Sequence, residues 1–113
     1  LTILNAGKVL QLVAAMLEEL QIYLNRKFLE KTIIGLNVHI SCLIERLVKK
    51  EEIMTYVNKE QFLEEHEKFV ESVQKSFSQI ARQYNIKIPV SEIAYIYDYI
   101  QHETEADIQE SDF

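Results

Sequence analysis

The sequence predicts an all-α fold, a compact bundle of four to five helices, on three observations. Apolar residues recur at i, i+3, i+4 and i+7 along most of the chain, the spacing that places them on one face of a helix. Gly7, Gly35 and Pro89 are the only glycines and proline, too few for the turns of a β-rich domain of this size. A length of 113 residues with 48% hydrophobic and 27% charged content suits a single globular domain with a buried core.

The elements follow in order. Val9, Leu12, Val13, Met16, Leu17, Leu20 and Leu24 form the stripe of a first helix from near Ala6 to near Asn25, with Asn5 as its cap. The run Asn25-Arg26-Lys27 puts positive charge at the negative pole of that helix. A second helix is expected from Leu29 to Lys50, with the stripe Ile33, Leu36, Ile40, Leu43, Ile44 and Leu47 and with Lys49 and Lys50 at its end. Glu51 to Val57 reads as a loop or a short extra turn. Asn58 then opens a third helical region, with Gln61 in place for a capping box. Phe62, His66, Phe69, Val70, Val73, Phe77, Ile80 and Tyr84 share one face of that region, which is long enough to be two helices meeting at a kink near His66. Pro89 disfavours helix at Ile88, so Tyr84 to Pro89 is expected to be extended. The last helix, from Val90 to about Glu103, carries Ile93, Ile96, Tyr97 and Ile100 on one face and Tyr95 and Tyr99 beside it, which places it centrally in the bundle. One domain, residues 1–103, is expected, followed by an acidic, disordered tail over 104–113. No internal repeat is visible. The first residue is Leu1 rather than Met, and the chain reads as a piece of a longer protein.

Composition also excludes functions. Eighteen acidic against 12 basic side chains leave a net charge of −6, the wrong sign for a nucleic-acid surface, which needs clustered Lys and Arg. No apolar run approaches the ~20 residues of a membrane span. Cys42, the single cysteine, rules out an internal disulfide framework and suits a reducing, cytoplasmic compartment.

The chemistry-bearing residue singled out by spacing is His39. Helical geometry sets it beside Gly35, Leu36, Cys42, Leu43 and Arg46, at the border of an apolar stripe. Helical side chains lean toward the N-terminus, so the ring lies over the turn of Gly35. A glycine inside a helix costs ~1 kcal/mol relative to alanine and asks for a reason: access to the imidazole, or close helix–helix contact. His66, among Glu64, Glu65 and Glu67, reads as a boundary residue, and His102 as a favourable positive group near a helix end. Cys42 is expected to be a buried small hydrophobe. No metal or cofactor site is indicated, since His39 and Cys42 on one helix fall short of the usual ligand number. No Ser-His-Asp arrangement, no glycine-rich phosphate loop and no general-base pair can be read, so the chain is expected not to be an enzyme.

The segment Gly35-Leu36-Asn37-Val38-His39-Ile40-Ser41-Cys42-Leu43-Ile44-Glu45-Arg46-Leu47, followed by Ile88-Pro89-Val90-Ser91-Glu92-Ile93-Ala94-Tyr95-Ile96, resembles the phosphotransferase-system regulation domain, or PRD. Within that family it is most similar to the C-terminal PRD of σ54-dependent activators of the levan-operon type. The resemblance implies a five-helix, usually dimeric module of bacterial transcriptional regulators of sugar utilisation, without catalytic activity. It implies that histidines accept phosphoryl groups from HPr or from an enzyme IIB component. It also implies that the DNA-binding and ATPase portions lie outside this chain. His39 matches the family's first histidine; Tyr99 stands where the second is usual, which implies a one-histidine version. A neutral imidazole is nucleophilic near pH 7, and the new phosphoryl group, of about −1.5 to −2 charge, could pair with Arg46. An ion pair with a glutamate of a neighbouring helix is the other expectation for Arg46. Two further classes compete: a histidine phosphotransfer domain, which usually has Lys three and Gly four residues after the histidine where Cys42 and Leu43 stand here, and a passive helical dimerisation module.

Overall fold

The structure is a computed structural model that describes residues 4–53 and 58–111, with side chains through Glu103. Within it are five helices: α1 (Ala6–Leu24), α2 (Glu30–Val48), α3 (Lys59–Glu65), α4 (Glu67–Tyr84) and α5 (Val90–Ser111). The all-α bundle expected from periodicity is what the chain forms.

The caps explain most boundaries. Asn5 accepts a hydrogen bond from the Lys8 amide at 3.0 Å and starts α1. Asn25 ends it in the left-handed conformation (φ 50°), and the amides of Asn25 and Arg26 return to the carbonyls of Ile22 and Gln21. That is a Schellman stop built on asparagine, the residue other than glycine best suited to positive φ. Asn85 (φ 53°) ends α4 in the same way, and Lys50 (φ 60°) follows α2 with its amide bonded to Leu47. Arg26, which follows the α1 stop, also makes contacts beyond its own helix. Its guanidinium crosses to α5, donating to the Ile100 carbonyl at 2.8 Å and to Glu103 at 3.2 Å.

Two other expectations change and one holds. Asn58 precedes α3 without a side-chain cap, and Gln61 donates instead to Glu65 one turn on, so no capping box forms. The kink near His66 is present: this residue ends α3 and starts α4 with non-helical backbone (φ −127°, ψ 37°). The last helix, expected to end at about Glu103, runs on to Ser111. Of the loop expected over Glu51 to Val57, positions 54–57 lie outside the described residues, as do 112–113 of the tail.

α1 packs on α2 and α4, and α5 packs on α2, α3 and α4. The core between them holds Val13, Leu17, Leu36, Ile40, Phe77 and Ile93, all essentially without solvent contact. Burial of each large side chain contributes about 1.5–3 kcal/mol.

The structure also shows a repeat that residue identities conceal. α1–connector–α2 and α4–connector–α5 share a left-handed asparagine (Asn25, Asn85) and a buried connector residue (Phe28, Ile88). Val13 and Val73, Leu17 and Phe77, Leu20 and Ile80, Leu36 and Ile96, and Ile40 and Ile100 are buried at equivalent positions. The two halves conserve burial rather than sequence, so inspection of letters misses them. In this register His39 of α2 is equivalent to Tyr99 of α5, and Gly35 to Tyr95.

Candidate functional site at the α2–α5 border

The buried stripe of α2 (Leu36, Ile40, Ile44) faces that of α5 (Ile93, Ile96, Ile100), and this sets the residues flanking both stripes side by side. His39 comes from the middle of α2. Glu92 and Tyr95 come from the first turns of α5, positioned by the stop at Asn85 and by Pro89, whose carbonyl receives the Glu92 amide at 3.0 Å. The imidazole Nε2 of His39 lies 2.8 Å from Oε2 of Glu92. Its ring stacks on that of Tyr95, with centroids 4.1 Å apart and planes 15° from parallel.

Accessibility matters most here. The His39 side chain retains 31% of its exposure, and Glu92 14%. The imidazole touches the interior on one side and solvent on the other. Tyr95, exposed at 42%, has its phenol pushed above the ordinary tyrosine range by partial burial, with Tyr99 and Glu92 adding to the effect. It is therefore a neutral stacking surface at physiological pH.

Gly35 lies one turn before His39, as the spacing placed it. The space above it is taken by Tyr99: a Cβ added at Gly35 would collide with the Tyr99 hydroxyl and come within 3.1 Å of Cζ. Close helix–helix contact is thus one physical role of this glycine. The repeat relates the two contacts, His39 on Tyr95 and Tyr99 on Gly35. Tyr95 and Tyr99 are themselves neighbours, their ring centroids 6.0 Å apart.

Arg46 is exposed and turned to the C-terminal end of α2, with Nε 3.5 Å from Glu51 and Nη2 donating to the Glu52 carbonyl at 3.2 Å. Its carboxylate partner follows α2 in the chain, rather than belonging to a packed neighbouring helix. Cys42 is exposed, which corrects its expected burial. A second aromatic group surrounds His66. Its ring lies 4.2 Å from that of Tyr97 and 4.8 Å from that of Phe62, and Glu65 stands 4.0 Å away. His102 bonds through Nδ1 to the Asp98 carbonyl at 2.8 Å within its own helix. Neither histidine approaches the His39 constellation by any contact on these elements. Among the described residues no group of three or more His, Cys, Asp or Glu side chains is arranged to hold a metal ion, and no helix is long and apolar enough to cross a membrane.

Sequence spacing identified His39 and Gly35 but not the partners Glu92 and Tyr95. Both lie in the second quoted segment, three residues apart and hence on one face of α5. That spacing was the available signal, but which face meets His39 is settled only by packing.

No curated protein and no solved structure matches the chain. A family model does, the PRD domain, over residues 11–103, a stretch that contains the whole α2–α5 border and every helix of the bundle in whole or large part. With that match across most of its length, the chain belongs to the PRD domain family of regulatory modules.

Proposed function

We propose that this chain is the phospho-acceptor regulatory domain of a bacterial transcriptional regulator of sugar utilisation, of the σ54-dependent levan-operon type. In this reading His39 is phosphorylated by HPr or an enzyme IIB-type component of the phosphotransferase system. The observation that carries it is the placement of His39: a partly exposed imidazole, oriented by Glu92 and Tyr95, at the seam of two core helices. An incoming protein can reach such a ring, and a change of its charge is felt by both helices.

The consequence follows from electrostatics. Phosphorylation brings about −1.5 to −2 charge and three strong acceptor oxygens to a seam that already holds the Glu92 carboxylate. Arg46 is a candidate to answer that charge. Its present pair with Glu51 is exposed, and such pairs contribute only about 0–1 kcal/mol, so exchanging it costs little. Gly35 keeps the turn beneath the imidazole free of a Cβ. The altered seam shifts dimerisation, and with it the activity of the DNA-binding and ATPase parts of a cytoplasmic regulator. Exposed apolar residues on α2, Ile34 at 58% and Val38 at 56%, form one face of the helix that carries His39 and suit a homodimer surface sensitive to that shift.

The test is incubation with phosphoenolpyruvate and the general phosphotransferase proteins, followed by mass spectrometry under conditions that preserve phosphoramidates. Phosphate on His39 is the expected result; modification of other residues alone, or none, refutes the reading. In cells, His39→Asp and His39→Ala are expected to move operon output in opposite directions. Equal output and unchanged oligomeric state for both would leave a passive helical module.

A further inference from the structure

We infer that the nucleophile of His39 is Nδ1, and that Glu92 is the positioning residue that makes it so. The inference rests on the phospho-acceptor reading and specifies its chemistry. Nε2 is engaged: the Glu92 carboxylate is 2.8 Å away, and a carboxylate can only accept, so the hydrogen of the neutral imidazole resides on Nε2. The lone pair is then on Nδ1, which makes no hydrogen bond among the described residues. Tyr95 holds the ring plane from one face, and a half-turn of the ring within that stack would put a carbon, Cε1, where Nε2 meets Glu92 and so forfeit the hydrogen bond.

Charge points the same way. A donor phosphoryl group approaching Nε2 meets the Glu92 carboxylate head-on, whereas Nδ1 lies on the other side of the ring from it. In the transfer, the Nδ1 lone pair attacks phosphorus and an N–P bond forms. The bond from phosphorus to the donor's phosphorylated side chain breaks, and its electron pair leaves with the donor atom. The ring, having given up its lone pair while keeping the Nε2 proton, becomes cationic. That positive charge develops 2.8 Å from Glu92, which stabilises it without taking the proton, the role a buried carboxylate plays toward the histidine of a serine hydrolase. Glu92 is itself largely shielded from water, so the attraction is screened less than at an open surface.

Histidine labelled with nitrogen-15 allows a direct test by two-bond proton–nitrogen correlation, which distinguishes ring tautomers and separates the two phosphohistidine isomers. Before transfer His39 is expected in the Nε2–H form, and after transfer as the Nδ1 phosphohistidine. Phosphate found on Nε2, or a resting ring in the Nδ1–H form, overturns the inference while leaving His39 as acceptor. Absence of phosphate from His39 overturns both, and the resting tautomer still reports whether Glu92 orients the ring. Glu92→Ala is expected to mix the resting tautomers and slow transfer by about 10- to 100-fold, with His39 still the modified residue. A Glu92→Ala protein with an unchanged tautomer and transfer rate assigns Glu92 no positioning role.

Discussion

Replacing Gly35 by alanine sets two effects of opposite sign against each other. Alanine in a helix interior is favoured over glycine by about 1 kcal/mol. The new methyl group, however, enters the space of the Tyr99 hydroxyl and sits 3.1 Å from Cζ, closer than an ordinary carbon–carbon contact. Overpacking of this kind costs about 1–3 kcal/mol. Tyr99 is only half-buried and its hydroxyl is the far end of the side chain, so part of the strain is released by tilting the ring. The net expectation for Gly35→Ala is a loss of about 0–2 kcal/mol. Removing the obstacle reverses the sign: in a Tyr99→Leu background the same substitution gains the full helix preference, about 1 kcal/mol. The cycle therefore gives a coupling of about 1–3 kcal/mol between residues that are far apart in sequence. Urea unfolding followed by circular dichroism measures it as a change of midpoint at constant slope. Gly35→Ala that stabilises equally in both backgrounds would mean that Tyr99 does not occupy the space above Gly35, and the account of this glycine would be wrong.

Further outcomes follow from two positions that meet helix ends, Glu103 at the start of α2 and Asn85 at the end of α4. Burial by itself pushes the Glu103 carboxyl up, but the Thr32 hydroxyl, the Leu29 amide at 2.9 Å and Arg26 together more than offset it and hold it below the usual carboxylate range. A carboxyl lowered by folding contributes its stability above the unfolded value and loses it as pH falls through the folded one. Glu103→Gln should accordingly flatten the decline of the unfolding midpoint below about pH 5, read from denaturant titrations across that range. Glu103→Ala strands the buried partners and is expected to cost about 2–3 kcal/mol near neutrality, less than a fully enclosed pair because Arg26 retains contact with water. At the end of α4, Asn85→Ala removes the short polar side chain that makes φ 53° tolerable for an L residue and should cost about 1 kcal/mol, whereas Asn85→Gly should be neutral or stabilising in thermal melts.

The parts legible in the sequence are those fixed by local physics. The 3.6-residue period found the bundle and the membership of its stripes, because burial of one face is what holds an amphipathic helix in place. His66 was readable as a kink from the length of the region around it. The errors have local physical causes too. The general preference of cysteine for the interior points the wrong way for Cys42: it lies two residues from Ile40, turned away from the centre of the stripe, and is exposed. The expected capping box at Asn58 failed because Gln61 found a competing acceptor, Glu65, within its own helix. The contacts of Arg26 with the buried Glu103 carboxylate and the Ile100 carbonyl lie more than 70 positions away in sequence, beyond the reach of local spacing.

The site divides along the same line. His39 and Gly35 belong to one helix, so their adjacency follows from spacing alone. The Glu92 contact spans 53 positions in sequence and depends on the register between α2 and α5. That register is set by the packing of Leu36, Ile40, Ile93 and Ile96, all buried, and no local pattern encodes it. The concealed repeat supplies the missing constraint. If α5 stands to α4 as α2 stands to α1, with equivalent positions buried, the contact of Tyr99 with Gly35 and that of His39 with Tyr95 are two versions of one helix–helix contact. In one version a glycine admits a tyrosine tip and the seam is filled. In the other, two rings stack and a carboxylate takes one nitrogen, which leaves an imidazole held firmly and still open to water. A bundle of this kind needs its seams closed for stability, and the half that carries His39 is the one left partly open.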